Sequence, residues 1–442
     1  MTSFNDLHYL ELLDIARRIQ AREISSVDAT KAQLSRIQKL DSKLKSYATL
    51  MTDSALADAS RADAEIAKGQ IRGPMHGAPI AVKDLCWTQG VPTAAGMTIH
   101  ANFKPDQDAT VVKRLRGAGA VIMGKLQLTE GAYADHHPKI AVPVNPWNAT
   151  HWSGASSSGS GVATAAGLCY GSLGSDTGGS IRFPAAANGL TGIKPTWGRV
   201  SRFGVFELAA TLDHIGPMAR SAADAAALLG AIAGADSNDP TAVQLPVPNY
   251  LAGMTRGLRG LRIGIDAAWN STAVDAPTRA MMAEVTKVIT EQGADIREVK
   301  FPNPEQEIAD WFPLCGVETA VAHEATYPSR KSEYGPGLAG LIDLGLAQKR
   351  PGLSEDRVAS AGVLGPRGRT VRGHRSVADP DDSRSVTHEC AVGRFGQRCR
   401  VAFGAAALHL SVRHDGQPDD HAARWLHSAW HTDCLSIRGA AF

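Results

Sequence analysis

Two serine-bearing turns stand close together in the middle of the chain, within GASSSGSGVATAAGLCYGSLGSDTGGSIRFPAA at 154–186. In SDTGGS (175–180), Ser180 directly follows Gly178 and Gly179. Successive glycines let backbone N–H groups converge on one point, as a developing oxyanion requires, and Ser180 is therefore the candidate nucleophile. A serine hydroxyl is inert until a base takes its proton, and no histidine lies in this stretch. Two other readings stand beside this one: a flexible Gly/Ser linker, and a nucleotide loop built on GSGVAT. Against the linker stands the interleaved VATAAGLCYGSLG, which has the pattern of a small-residue buried helix feeding a strand. Against the nucleotide loop stands the want of a preceding apolar strand and a ribose-binding acid.

GAPIAVKDLC (77–86), which holds Lys83, is a short apolar run suited to a buried strand. Burial disfavours the charged form, so a buried lysine becomes a neutral amine that accepts protons. The competing reading of Lys83 is a surface lysine on an edge strand.

The elements that must position these residues alternate. Helices are predicted over 5–20, 26–40 and 55–69, the second opening at Ser25 with Asp28 three positions on. Residues 108–125 read as helix, glycine turn and buried strand, and strands at 258–266 and 293–302 bracket a helix over 276–291. Such alternation predicts an α/β fold, a sheet covered by helices on both faces. The Pro/Asp/Asn-rich stretch 234–250 is the candidate linker, joining layers of one fold.

Composition narrows the partners. The chain has 442 residues, 43% of them hydrophobic, and a formal net charge of +2. That length supports a large core, and the near-neutral charge argues against nucleic acid as partner and for a small molecule. The N-terminus lacks an apolar core behind a basic start, and no apolar run reaches membrane-spanning length, so the expectation is a cytoplasmic protein with no membrane association. Six scattered cysteines form no CxxC or zinc-type pair, and no metal is assigned.

These residues together resemble the amidase signature family of serine hydrolases. Gly154, Ala155, Ser156, Ser157, Ser158 and Gly159 match its serine-rich box, GSDTGGSIRFPAA (174–186) its nucleophile box, and APIAVKDLCWTQGVPTAAG (78–96) its lysine box. NPWN (145–148), GIKPTWGRVSRFGV (192–205) and TLDHIGPMARSAADAAALLGAIAG (211–234) extend the likeness over about 70–345. The resemblance implies an amidase signature fold with a mixed central β-sheet. It implies Lys83 as base, Ser156 as bridging serine after a cis Ala155–Ser156 peptide, and Ser180 as nucleophile, Ser156 and Ser180 standing 24 positions apart. The backbone amides of Thr177, Gly178 and Gly179 become the oxyanion hole, and no cofactor is required. Tyr133, His136 and His137 become candidates for the acyl pocket, and Arg182 is expected to pair with Asp176. The implied reaction is hydrolysis of a carboxamide through an acyl-enzyme, in a chain that is a homodimer by default. The same-fold alternative is the glutaminase A subunit of a tRNA-dependent amidotransferase. Ala155 and Ser158 stand where the family usually has glycine.

Three regions follow: an N-terminal helical region at 1–70, a signature core at 71–345, and an aberrant C-terminal segment at 346–442. From 351 onward the chain has twelve arginines and no lysine, and nothing there resembles the family's closing strand and Pro-Gly-Gly region. Re-read one base out of frame, VRGHRSVADPD (371–381) yields a buried-strand pattern and DDHAARWLHS (419–428) yields a Pro-Gly-Gly motif, in the family's order. The expectation is a frameshift between about Leu344 and Arg357, with the true end cut short. The competing readings are a divergent or disordered arginine-rich tail, and a non-catalytic remnant of an amidase.

Overall fold

The computed structural model describes residues 7–348. The expectations for the C-terminal segment, frameshift and missing motifs alike, fall beyond residue 348 and lie outside the described residues.

β1 (Tyr47–Leu50), β2 (Pro79–Lys83), β3 (Val121–Leu126), β4 (Gly171–Asp176), β5 (Thr191–Gly192) and β6 (His214–Ala219) form one six-stranded sheet in the order β1-β3-β2-β4-β6-β5. Apolar runs make the interior strands β2 and β3, while β4 is a run of small residues, GSLGSD. β2 runs parallel to both neighbours, β3 and β4, while β1, β5 and β6 pair antiparallel, so the sheet is mixed. Every residue of β2, β3 and β4 is buried, as strands covered on both faces must be.

Helices supply the cover. They are α1 (Leu12–Gln20), α2 (Ser26–Leu44), α3 (Thr52–Ala67), α4 (Thr110–Gly117), α5 (Ser158–Ala165), α6 (Arg182–Asn188) and α7 (Ala222–Ile232). Their ends follow sequence chemistry. Ser25 Oγ accepts from the Asp28 N–H at 2.9 Å, capping α2 at the predicted position. α1 begins later than predicted, at Leu12, because its first N–H groups are capped from a distance: Asp224 of α7 accepts from Leu12 and Leu13 at 2.8 and 3.0 Å.

The 258–302 region departs from the expected single sheet. β7 (Arg262–Ile265), α8 (Ala276–Glu291) and β8 (Asp295–Glu298) stand apart, the two strands pairing with each other as a two-stranded parallel sheet. Their few buried apolar residues, Ile263, Ile289 and Ala294, pack on one another, and β8 is too exposed to serve as an interior strand. α9 (Glu305–Ala322) and α10 (Pro336–Ala347) complete the described chain.

The serine-rich stretch is neither linker nor surface loop. Residues 153–177 are all buried, in a turn, α5 and β4. Gly161 lies inside α5, where a side chain would strike Asn188 at 2.6 Å, so this glycine permits close helix packing.

Candidate active site

β2 carries Lys83. It lies between β3 and β4, which excludes the edge-strand reading of Lys83, and the side chain is fully buried. Lys83 Nζ lies 2.7 Å from Ser156 Oγ and 2.8 Å from Ser175 Oγ. Its contacts are hydroxyls, with no carboxylate among them. Burial pulls its pKa down to about 7, against the opposing pull of Cys86, Asp213 and Asp176. The contrast with Lys125 on β3 is instructive. That lysine is equally buried, yet it donates to Cys86 O at 2.6 Å and Thr93 Oγ1 at 2.8 Å and faces Asp84 at 3.4 Å, so its charge has a partner.

Ser156 sits in the turn ahead of α5, after an Ala155–Ser156 peptide that is cis, the geometry the resemblance implies. Gly154 enters this turn at φ +84°, where a Cβ would meet Pro184 at 2.3 Å. Ser157 ties the turn to β4: its Oγ donates to Ser175 O at 3.2 Å, and its N–H donates to Ser180 O at 3.3 Å.

The turn that carries Ser180 is braced by Asp176, the last residue of β4. Its carboxylate takes two hydrogen bonds from Arg182, both at 3.0 Å, and others from the N–H groups of Gly179 (2.7 Å) and Ile181 (3.2 Å). Burial opposes the charge, but Arg182, Lys194 and the Ile181 amide prevail and hold the carboxyl well below the usual range. Gly179, one of the three residues expected at the oxyanion hole, donates its N–H to Asp176 Oδ1. The N–H groups of Thr177, Gly178 and Ser180 make no hydrogen bond to a described residue. Gly179 has φ +132°, and a Cβ there would meet Phe183 at 2.3 Å, so the turn requires glycine.

Ser180 is half-buried, and its hydroxyl makes no hydrogen bond to a described residue. No hydrogen bond joins the hydroxyls of Ser156 and Ser180.

None of the three pocket candidates bonds to Lys83, Ser156 or Ser180. Tyr133 packs against the core, its phenol pushed up to about 12 by burial and by Cys315 and Asp135. His136 Nε2 lies 3.0 Å from Ser158 Oγ, and burial pulls the ring down to about 4, so it is neutral. This contact occupies the position where the family usually has glycine. His137 closes its own turn, Nδ1 accepting from the Lys139 N–H at 3.1 Å.

Sequence reading missed three residues here: Ser175, Asp213 and Trp311. Ser175 was legible as a hydroxyl on the strand beside the lysine. Trp311 was not. It comes from α9, covers Gly178 at 2.9 Å from a built Cβ, and donates to Thr177 O at 3.4 Å. Among the described residues no cluster of His, Cys, Asp and Glu could hold a metal ion, and no helix is long and apolar enough to cross a membrane.

A mixed α/β sheet that buries a lysine against two serines is the architecture of a hydrolase family, and likeness to known proteins gives that family its name. The Amidase family profile matches residues 28–345, and the chain belongs to the amidase signature family and is an amidohydrolase. It is 53% identical over 337 residues to the Mycobacterium tuberculosis protein that carries the name amidase AmiD, covering 76% of this chain and 70% of that one. It is 40% identical over 345 residues to the glutamyl-tRNA(Gln) amidotransferase A subunit of Geobacter sp., covering 77% and 71%. Among solved structures, the peptide amidase of Stenotrophomonas maltophilia aligns with TM-score 0.68 at 33% identity, over 77% of this chain and 76% of that one. A bacterial aryl acylamidase of the same family shares the fold, with TM-score 0.70 at 23% identity over 80% and 75%.

Proposed function

We propose that the chain hydrolyses a small-molecule amide through Ser180 as nucleophile, Ser156 as proton bridge and Lys83 as base. The observation that carries this reading is the buried Lys83, in contact with two hydroxyls and no carboxylate, and so poised as a neutral amine near pH 7.

As Ser180 Oγ attacks the carbonyl carbon, its proton passes to Ser156, and the Ser156 proton passes to Lys83 Nζ. The N–H groups of Thr177 and Gly178, joined by that of Ser180, receive the oxyanion. Lys83 then returns a proton through Ser156 to the leaving nitrogen, and the C–N bond breaks. Water attacks the acyl-Ser180 ester, passing a proton along the same path to Lys83; the acyl C–Oγ bond breaks, Ser180 Oγ takes that proton back, and the carboxylic acid leaves. In this reading Tyr133, His136 and His137 line the acyl side of the pocket.

The amidotransferase reading stands second. Its support is the 40% identity, against 53% to the amidase-named relative, and Ala155 and Ser158 depart from the glycines that the amidotransferase box keeps. The test is covalent labelling of the purified full-length chain by a fluorophosphonate, with mass mapping of the modified residue. Label on Ser180, with amide turnover by the chain alone, is expected. Ammonia release from glutamine only alongside a co-purified protein would overturn the stand-alone amidase.

A further inference from the structure

Asp213 is buried and takes no part in the steps above. It lies one residue before β6, and Thr177 lies one residue after β4. The antiparallel register pairs Asp176 with His214, so Thr177 and Asp213 are the next positions across the ladder. There the Thr177 hydroxyl donates to Asp213 Oδ1. The other carboxylate oxygen accepts from the N–H groups of Leu208 and Ala209 at 2.9 and 3.2 Å, which fixes Asp213 in its own loop.

We infer that Asp213 is a positioning residue that holds the oxyanion turn in register through the hydroxyl of Thr177. The inference rests on the amidase reading above, and it assigns to the Thr177 side chain a task separate from that of its backbone amide. Thr177 is thereby gripped twice: Asp213 holds its hydroxyl and Trp311 its carbonyl, leaving the N–H as the group without a described partner. The Trp311 bond orients the Thr177–Gly178 peptide, and with it the Gly178 N–H, while the Asp213 bond fixes the Thr177 side chain, and such preorganised donors are what lower the barrier. A carboxylate suits this task because both its oxygens accept, whereas a neutral amide offers one acceptor.

The charge has a second consequence. Asp213 and Ser175 line one small cavity of about 10 Å³, and Ser175 Oγ touches Lys83 Nζ. The charged and titratable groups around Asp213 are Lys83 on β2, Arg202 and Glu207 on the 201–207 loop, and Cys315 on α9. Burial pushes the Asp213 carboxyl up to about 6, while its ionised form raises Lys83. Removing that charge therefore lowers the pKa of Lys83.

The experiment follows phosphonylation of Ser180 in the full chain by a fluorophosphonate, a reaction in which Ser180 Oγ–P forms, P–F breaks and the Ser180 proton moves toward Lys83. Second-order rates are measured from pH 5.5 to 9 for wild type, Thr177→Val, Thr177→Ser and Asp213→Asn. Thr177→Val and Asp213→Asn are expected to react roughly 10- to 100-fold more slowly, below the 10²–10³ that loss of a whole oxyanion donor costs. Thr177→Ser is expected to restore the rate to within about threefold, since it keeps the donor hydroxyl. Asp213→Asn is also expected to move the acid limb to lower pH, while Thr177→Val leaves it in place. Wild-type rates in Thr177→Val, or a Thr177→Ser as slow as Thr177→Val, would overturn the inference while leaving Ser180 as nucleophile. A wild-type chain that melts cooperatively yet is not labelled at Ser180 would overturn the amidase reading, and the role of Asp213 with it.

Discussion

Lys83 meets Ser156 at 2.7 Å across 73 residues of sequence, from the end of an interior strand to the turn ahead of a short helix. The contact joins β2, sandwiched between β3 and β4, to the serine-rich turn that precedes α5. It makes the ionisation of one buried amine the controlling variable of the site.

Activity should therefore follow Lys83. The amine accepts protons only when neutral, so kcat/KM is expected to rise with pH through about 7, the Lys83 pKa. A profile flat from pH 5.5 to 8 would remove Lys83 from the role of base.

The same group should leave a mark on stability. Its folded pKa of about 7 lies below the ordinary lysine value of 10.5, so between those values the unfolded chain binds more protons and stability rises with pH. Denaturant unfolding of wild type against Lys83→Met should show a difference that grows in favour of wild type between pH 7.5 and 9, by on the order of 1 kcal/mol per pH unit. A pH-independent difference would mean that Lys83 is charged in the fold.

Ser180→Ala should abolish fluorophosphonate labelling and lower turnover by at least ~10³-fold. Because the hydroxyl makes no hydrogen bond to a described residue, the melting temperature should be unchanged. Retained turnover would remove Ser180 as nucleophile.

Ser175→Ala deletes one of two hydroxyls on Lys83 Nζ while leaving Ser156 in place. A fall in kcat of about 10- to 100-fold is expected, short of the loss of the base itself. Steady-state kinetics showing wild-type kcat would limit Ser175 to packing.

Arg182→Ala leaves Asp176 buried with its guanidinium partner gone, a loss of about 3–5 kcal/mol by equilibrium denaturation. Arg182→Lys should recover only part, since an ammonium cannot reproduce the two-pronged contact. Equal stability of Arg182→Ala and wild type would show that the Gly179 and Ile181 amides suffice for Asp176.

The motifs that carry chemistry were legible because they are local. SDTGGS must turn sharply at Gly179, and the run PIAVK has the composition of a buried strand whatever surrounds it. Helix α2 announced its own cap at Ser25. The start of α1 was read too early because its cap, Asp224, lies 212 residues away. The 258–302 unit was read into the main sheet because parallel strands look alike before their partners are known.

The inventory was written in the chain: Ser180 after two glycines, Lys83 in apolar company, and motifs whose family resemblance makes Ser156 the candidate bridge. Packing settled the state of each group. Whether Lys83 is charged depends on β2 being interior and on hydroxyls being its neighbours. Which amides face an oxyanion depends on Asp176 claiming the N–H of Gly179. Asp213 gains its grip on Thr177 only through the β4–β6 register. Ionisation and hydrogen-bond direction are set by burial and by neighbours remote in sequence, and these exist only once the chain has packed.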